Sequence, residues 1–173
     1  MKFIVHLEYC VQVWSPVPRY GNWERILDIE KVQRKFTRLI DNIGTLPYGA
    51  RLKILNFTTL AERRIRGDLI ETFKIVRNFV NYGQSMFKMS RSGLNIISRG
   101  TKVSLARKDF LSERVINYWN LLPANVKRSP SINSFKANLD IYKAKCLADK
   151  YYFNVGNFWE VSEHVLSAIE TPS

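Results

Sequence analysis

The sequence predicts a mainly α-helical protein, a helical bundle followed by a small helical module with a short β-hairpin. Apolar residues recur every three or four positions through several long stretches, and proline or capping residues stand at the ends of those stretches. That period gives way across residues 82–108, where glycine, serine and single apolar residues take over. With 173 residues, 46% of them hydrophobic and 13% aromatic, the chain has ample material for a core.

Phe3, Ile4, Leu7, Cys10, Val11 and Trp14 mark a one-faced helix that stops before Pro16 and Pro18. Asn22 is placed to cap a second helix over residues 23–41, whose inward face is expected to be Ile29, Val32, Phe36, Leu39 and Ile40. At about 100° per residue, Lys31, Arg34, Lys35 and Arg38 then fall on the opposite face. Gly44, Pro47 and Gly49 punctuate a loop before a short helical turn over residues 52–55.

Thr59-Leu60-Ala61-Glu62 fits a capping box and opens a third long helix. Its expected buried stripe is Ile65, Leu69, Phe73, Val76 and Val80, with Arg63, Arg66, Lys74 and Arg77 along one flank and Arg64 pointing away. Gly67 within that helix costs about 1 kcal/mol relative to alanine, which suggests close packing of another backbone. Residues 94–97 and 102–106 are expected to pair as the hairpin. Asp109 caps the next helix, which turns Leu111, Val115, Tyr118, Trp119 and Leu122 inward and ends at Pro123. Ser129-Pro130 suits the start of a last helix with Ile132, Phe135, Leu139, Tyr142 and Cys146 inside. The domains expected are therefore residues 1–82, residues 83–148 and an acidic tail, residues 149–173.

The net charge is +12, and it is uneven. The tail carries Lys150 against Asp149, Glu160, Glu163 and Glu170, a net of −3, which leaves +15 on residues 1–148. So basic a body expects a polyanion as partner, nucleic acid first among them. Two cysteines, Cys10 and Cys146, make no disulfide framework, and the apolar start is interrupted by His6, Glu8 and Gln12 before it reaches signal-peptide length. An intracellular protein, nuclear or cytoplasmic and not secreted, is expected. No run approaches about 18 apolar residues, so no membrane span is expected.

Catalytic motifs are missing. A nucleotide-joining palm needs closely placed aspartates to hold two metal ions. No two acidic residues are adjacent here, and Asp28 and Glu30, two apart on a helix, face different directions. Neither a phosphate-binding Gly-Lys-Ser/Thr loop nor a His-Glu-x-x-His pair occurs. His6 and Cys10 stand four apart, but a structural zinc site needs four ligands, so no metal or other cofactor is expected. Arg66-Gly67-Asp68 lies in a helix rather than on the exposed loop that an adhesion receptor reads. The positive signal is the basic faces: Lys31, Lys35 and Arg38 form an i, i+4, i+7 row with Arg34 beside it, suited to phosphates and blind to base sequence. Arg63, Arg66, Lys74 and Arg77 are further candidate contacts. Trp14, Trp23, Trp119, Phe36, Phe73 and Phe135 fall on apolar stripes and are expected in the core rather than as stacking platforms.

A set of ordered segments carries a further indication. Leu7-Glu8-Tyr9-Cys10-Val11-Gln12-Val13-Trp14-Ser15-Pro16 is followed by Glu30-Lys31-Val32-Gln33-Arg34-Lys35 and Arg63-Arg64-Ile65-Arg66-Gly67-Asp68-Leu69-Ile70. Arg114-Val115-Ile116-Asn117-Tyr118-Trp119-Asn120-Leu121-Leu122-Pro123 comes next, then Phe135-Lys136 with Leu139-Asp140. From about residue 3 to residue 147 the chain resembles the end of a LINE-type, non-LTR retrotransposon reverse transcriptase of the jockey-like and chicken-repeat-like kind. The resemblance implies a thumb-like bundle in residues 1–82, which clasps the template–primer duplex in that family, followed by a C-terminal extension. It implies a fragment of an RNA-directed DNA polymerase that lacks the catalytic palm and is no enzyme on its own. The implied partners are RNA or RNA/DNA duplex, the missing palm and fingers of the parent polymerase, or a second copy. The alternative is a helical protein–protein interaction module or a non-functional remnant of a mobile element.

Overall fold

The computed structural model describes residues 23–98 and 110–148, together with Ser15 and Ser167. The expected helix over residues 3–14, the Asn22 and Asp109 caps, the 102–106 strand, His6 and Cys10, and the tail's helix lie outside these residues. The protein is mainly helical with a small antiparallel hairpin. In order come α1 (Trp23–Arg38), α2 (Tyr48–Ile54), α3 (Leu60–Val76), β1 (Lys88–Met89), β2 (Ile96–Ile97), α4 (Leu111–Leu121), α5 (Ala124–Lys127) and α6 (Ile132–Ala148). The described residues up to Ile65, with Ser167, fall in one compact unit, and those from Arg66 to Ala148 in a second. Among the described residues no helix is long and apolar enough to cross a membrane.

The first unit is organised around a buried polar network. The innermost positions of α1 are Ile26, Glu30, Gln33 and Thr37, each 1% exposed or less. Their 4, 3, 4 spacing is helical, but three of the four are polar. The expected face of Ile29, Val32, Phe36 and Ile40 lies at the margin of that stripe, half-buried, and Leu39 is 82% exposed beyond the helix end. Burying Glu30 and Gln33 is tolerable because their polar atoms are partnered. Oε2 of Glu30 accepts from the Leu60 amide at 3.0 Å and the Ala61 amide at 3.3 Å, while Oε1 accepts the Tyr48 hydroxyl at 2.5 Å. Gln33 donates to the Tyr48 hydroxyl at 2.9 Å and to the Thr58 carbonyl at 3.0 Å, and accepts from Arg63 at 2.9 Å. The Glu62 amide donates to the Thr59 hydroxyl at 3.2 Å, as the expected capping box requires. The first three amides of α3 are thereby satisfied, two of them by an acidic group from another helix, which also suits the positive end of the helix dipole.

Asn56 and Asn78 end α2 and α3. Both have left-handed backbone, at φ 52° and 57°. After α2, Phe57 N–H reaches the Leu52 carbonyl at 2.8 Å and Asn56 N–H the Lys53 carbonyl at 3.1 Å. After α3 the same pair recurs from Phe79 to Lys74 at 2.8 Å and from Asn78 to Ile75 at 3.1 Å. This is the Schellman stop with asparagine in the position glycine usually takes. It halts α3 at Val76, so Val80 is no part of a helical stripe, and Val76 itself is only half-buried. Arg64, expected outside, is 2% exposed. A Cβ on Gly67 would meet nothing within 4 Å, so close backbone packing is not what places glycine there.

The second unit has an aromatic spine. Phe73, Trp119 and Phe135 are at most 1% exposed, along with Leu69, Val115 and Leu139. Phe135 stacks on Phe73 with ring centroids 4.2 Å apart and on Trp119 at 6.2 Å, and Phe79 stacks on the far side of Phe73 at 5.7 Å. Such pairs contribute about 0.5–1.5 kcal/mol beyond the area they bury. Leu111 and Leu122 are buried as expected, and Tyr118, Ile132, Tyr142 and Cys146 are half-buried. Beside the spine, Asp68 and Arg114 form a buried bidentate ion pair, both bonds 2.7 Å long.

The hairpin's strands are Lys88–Met89 and Ile96–Ile97, in register Lys88 with Ile97 and Met89 with Ile96. The partner of residues 96–97 therefore precedes them in the chain. The Asn120 side-chain amide continues the ladder from the other edge, accepting from Ile96 N–H and donating to Ile96 C=O, both at 2.9 Å. The Trp119 indole donates to the Leu94 carbonyl at 2.9 Å, and the buried Lys127 ammonium donates to Asn95 at 2.9 Å and to the Asn120 carbonyl at 3.1 Å. At the start of α6 the cap is Ser131, whose hydroxyl accepts from Ser134 N–H at 3.1 Å. Ser129, the expected cap, is buried instead, donating to the Val126 carbonyl at 2.7 Å and accepting from Asn138 at 3.0 Å.

Candidate nucleic-acid interface

With Glu30, Gln33 and Thr37 locked inward, the rotation of α1 about its axis is set. Lys31, Lys35 and Arg38 are exposed, and Arg34 is half-buried beside them. At a rise of 1.5 Å per residue the row from 31 to 38 is roughly 10 Å long, about three phosphate steps along one strand. Lys31 donates to Asp28 at 2.9 Å, but both side chains are more than half exposed, at 58% and 66%. A pair that open contributes little and exchanges readily for a phosphate. Neither Lys35 nor Arg38 makes an ion pair among the described residues.

Beneath the end of the row lies Arg51, 2% exposed. One of its terminal nitrogens donates to the carbonyls of Gly44 and Leu46, both at 3.0 Å, and the other reaches the Arg34 carbonyl at 3.4 Å. Its guanidinium also lies over the Tyr48 ring at 5.6 Å. Burial pushes its pKa down, and the like charges of Arg38 and Arg34 push it further. Three cationic side chains, those of Arg34, Arg38 and Arg51, thus stand within electrostatic reach near the C-terminal end of α1. In an isolated peptide nothing would hold them there; here Arg51 is fixed by backbone carbonyls.

The four candidates on and just beyond α3 behave differently. Arg63 is turned to Gln33 and to the Phe57 ring, 5.8 Å away. Arg66 grips Asp140 with two bonds of 2.9 and 2.8 Å, and this partner raises its pKa. Lys74 is paired with Glu71 at 3.0 Å, and the same carboxylate accepts the Tyr82 hydroxyl at 2.5 Å. Arg77 alone is exposed with no ion pair among the described residues. Arg66 and Asp68 of the Arg-Gly-Asp tripeptide are both engaged, with Asp140 and with Arg114. Three of these four therefore have structural work, and of the eight candidate cations the exposed ones with no ion pair among the described residues are Lys35, Arg38 and Arg77.

Sequence reasoning overlooked Arg51, which lies in a short helix and carries no motif. Among the described residues, no group of three or more His, Cys, Asp or Glu side chains gathers to hold a metal ion. No protein-family model, curated protein or solved structure matches the chain.

Proposed function

We propose that this chain is a non-catalytic, sequence-nonspecific binder of RNA or RNA/DNA duplex, acting through Lys31, Arg34, Lys35 and Arg38 of α1. In this reading it corresponds to the thumb-like and post-thumb part of a non-LTR retrotransposon reverse transcriptase, a part that does not itself join nucleotides, and it works inside the cell. The observation that carries it is the solvent-facing row on α1, in which Lys35 and Arg38 have no acidic partner among the described residues while the other side of the helix is pinned. Arg side chains grip phosphate oxygens in bidentate fashion, and no contact in the row selects a base.

A salt titration tests it. Four neutralised phosphates give an affinity for labelled RNA/DNA duplex that falls roughly a hundredfold between about 50 and 200 mM salt. Reversing charge at two of them, Lys35→Glu with Arg38→Glu, weakens binding and flattens that slope while leaving the far-UV circular dichroism unchanged. A folded sample that fails to bind duplex at the lower salt overturns the proposal. A second reading, docking on the palm and fingers of a parent polymerase or on a second copy, draws on Leu39 and Ile54, which are 82% and 59% exposed. Self-association in the ultracentrifuge without nucleic-acid affinity favours that one.

A further inference from the structure

Where α1 ends, the chain folds back to form an open cavity of about 500 Å³, lined by Arg38, Ile40, Asp41, Asn42, Gly44 and Thr45. Several features make its walls firm. Asn42 takes left-handed backbone at φ 68°, which turns the chain. Gly44 comes so close to α1 that an added Cβ would stand 2.4 Å from the Arg38 carbonyl oxygen, so only glycine fits. The buried Arg51 guanidinium then ties the Gly44 and Leu46 carbonyls down, each at 3.0 Å.

The lining has a composition that a bare anion site would not need. Arg38 at the rim, with Arg34 and Arg51 near enough for their charges to be felt, supplies the positive field for a phosphate. Asp41 would repel a free anion, yet a carboxylate is well suited to accept from a sugar hydroxyl or a base amino group. The Asn42 amide and the Thr45 hydroxyl both donate and accept, and Ile40 offers an apolar surface. At about 500 Å³ the space falls within the usual range for small-molecule pockets, roughly 300–1,000 Å³.

We propose that this cavity takes one nucleotide unit of an unpaired RNA or DNA strand, its phosphate on Arg38 and its sugar and base against Asp41, Asn42 and Thr45. The inference rests on the nucleic-acid reading of α1 and deepens it, because a base stacked and paired within a duplex cannot enter such a space. The α1 row then tracks the backbone while the cavity holds a strand end or a splayed nucleotide beside it.

The test compares two probes on the full chain at about 50 mM salt: a labelled single strand of about 12 nucleotides and an RNA/DNA duplex of the same length. Thr45→Phe narrows the cavity and leaves every charge of the basic row in place. It should lower single-strand affinity about tenfold, the scale of one good base contact, and change duplex affinity less than about twofold. Independently of any variant, titrating the isotope-labelled wild-type chain with uridine monophosphate should shift the amide resonances of residues 40–46, and inorganic phosphate at the same concentration should not. A folded Thr45→Phe chain with unchanged single-strand affinity overturns the cavity's role, as does inorganic phosphate reproducing the monophosphate shifts. Failure of duplex binding in wild type together with intact monophosphate shifts would instead sink the α1 proposal and keep the nucleotide site.

Discussion

Replacing Asp68 by asparagine is the sharpest probe of how this fold is held together. Asp68 and Arg114 meet through two 2.7 Å bonds with side-chain exposures of 6% and 4%. The asparagine keeps the volume and one acceptor but removes the charge that Asp68 sets against the buried Arg114. Breaking a buried pair in this one-sided way costs about 3–5 kcal/mol. At about 2–4 °C per kcal/mol for a chain of this length, Tm should fall by about 6–20 °C. The internal control is Arg66 with Asp140, also bidentate at 2.9 and 2.8 Å but with side chains 35% and 52% exposed. Asp140→Asn should cost under about 1 kcal/mol because water replaces the lost partner. The double variant Asp68→Leu with Arg114→Met should recover most of the loss, since neither charge then remains buried. Thermal melts followed by circular dichroism measure all four proteins. An Asp68→Asn chain within about 1 kcal/mol of wild type, or no more damaged than Asp140→Asn, refutes the assignment of that pair as a structural clamp.

Two further outcomes follow from positions the structure explains. Gly67→Ala should raise stability by about 0.5–1 kcal/mol, because the new methyl meets nothing within 4 Å and a helical glycine wastes backbone entropy; a loss on substitution would mean that something other than the described residues occupies that space. Burial holds the Glu30 carboxyl above its ordinary 4.5, against the opposing pull of the Tyr48 hydroxyl, the Leu60 and Ala61 amides and the Arg64 charge. A raised acid stabilises fully below its unfolded value and loses that contribution as pH climbs through its folded value. Wild type should therefore lose Tm relative to Glu30→Gln as pH rises from 4.5, and a difference that is flat or grows with pH refutes the assignment.

The helices of the second unit were legible because their signals are local and redundant. Leu111, Val115, Trp119 and Leu122 repeat at helical spacing up to a proline, and Phe135 and Leu139 do the same four residues apart; all six are buried. The hairpin was half legible. Residues 96–97 are a strand, but their partner is the unremarkable Lys88–Met89, selected by cross-chain contacts. The Asn120 amide and the Trp119 indole decide where that edge sits, and such a long-range choice leaves no periodic trace. The helix stops at Asn56-Phe57 and Asn78-Phe79 were not read from the sequence, where the expected stripe of α3 ran on to Val80. Asparagine tolerates left-handed backbone, and Phe79 closes back onto Phe73 within the same helix end.

On α1 the outward face could be read and the inward face could not, and the asymmetry has a physical cause. Exposed cations need no partner, so Lys31, Lys35 and Arg38 could be assigned outward from spacing alone. A buried polar residue is intelligible only with its partners, and those of Glu30 and Gln33 lie at Tyr48, Thr58, Leu60, Ala61 and Arg63. Hydrophobicity therefore favoured Val32, Phe36 and Leu39, whereas the folded chain centres its first unit on hydrogen bonds. The same logic hides the cavity: its firmness comes from Arg51 beneath Gly44 and Leu46, a cation that any count of surface charge would have placed outside. Buried here, Arg51 shapes the loop and adds its field to Arg34 and Arg38, so that a residue almost wholly shielded from solvent helps decide what the surface beside it can bind.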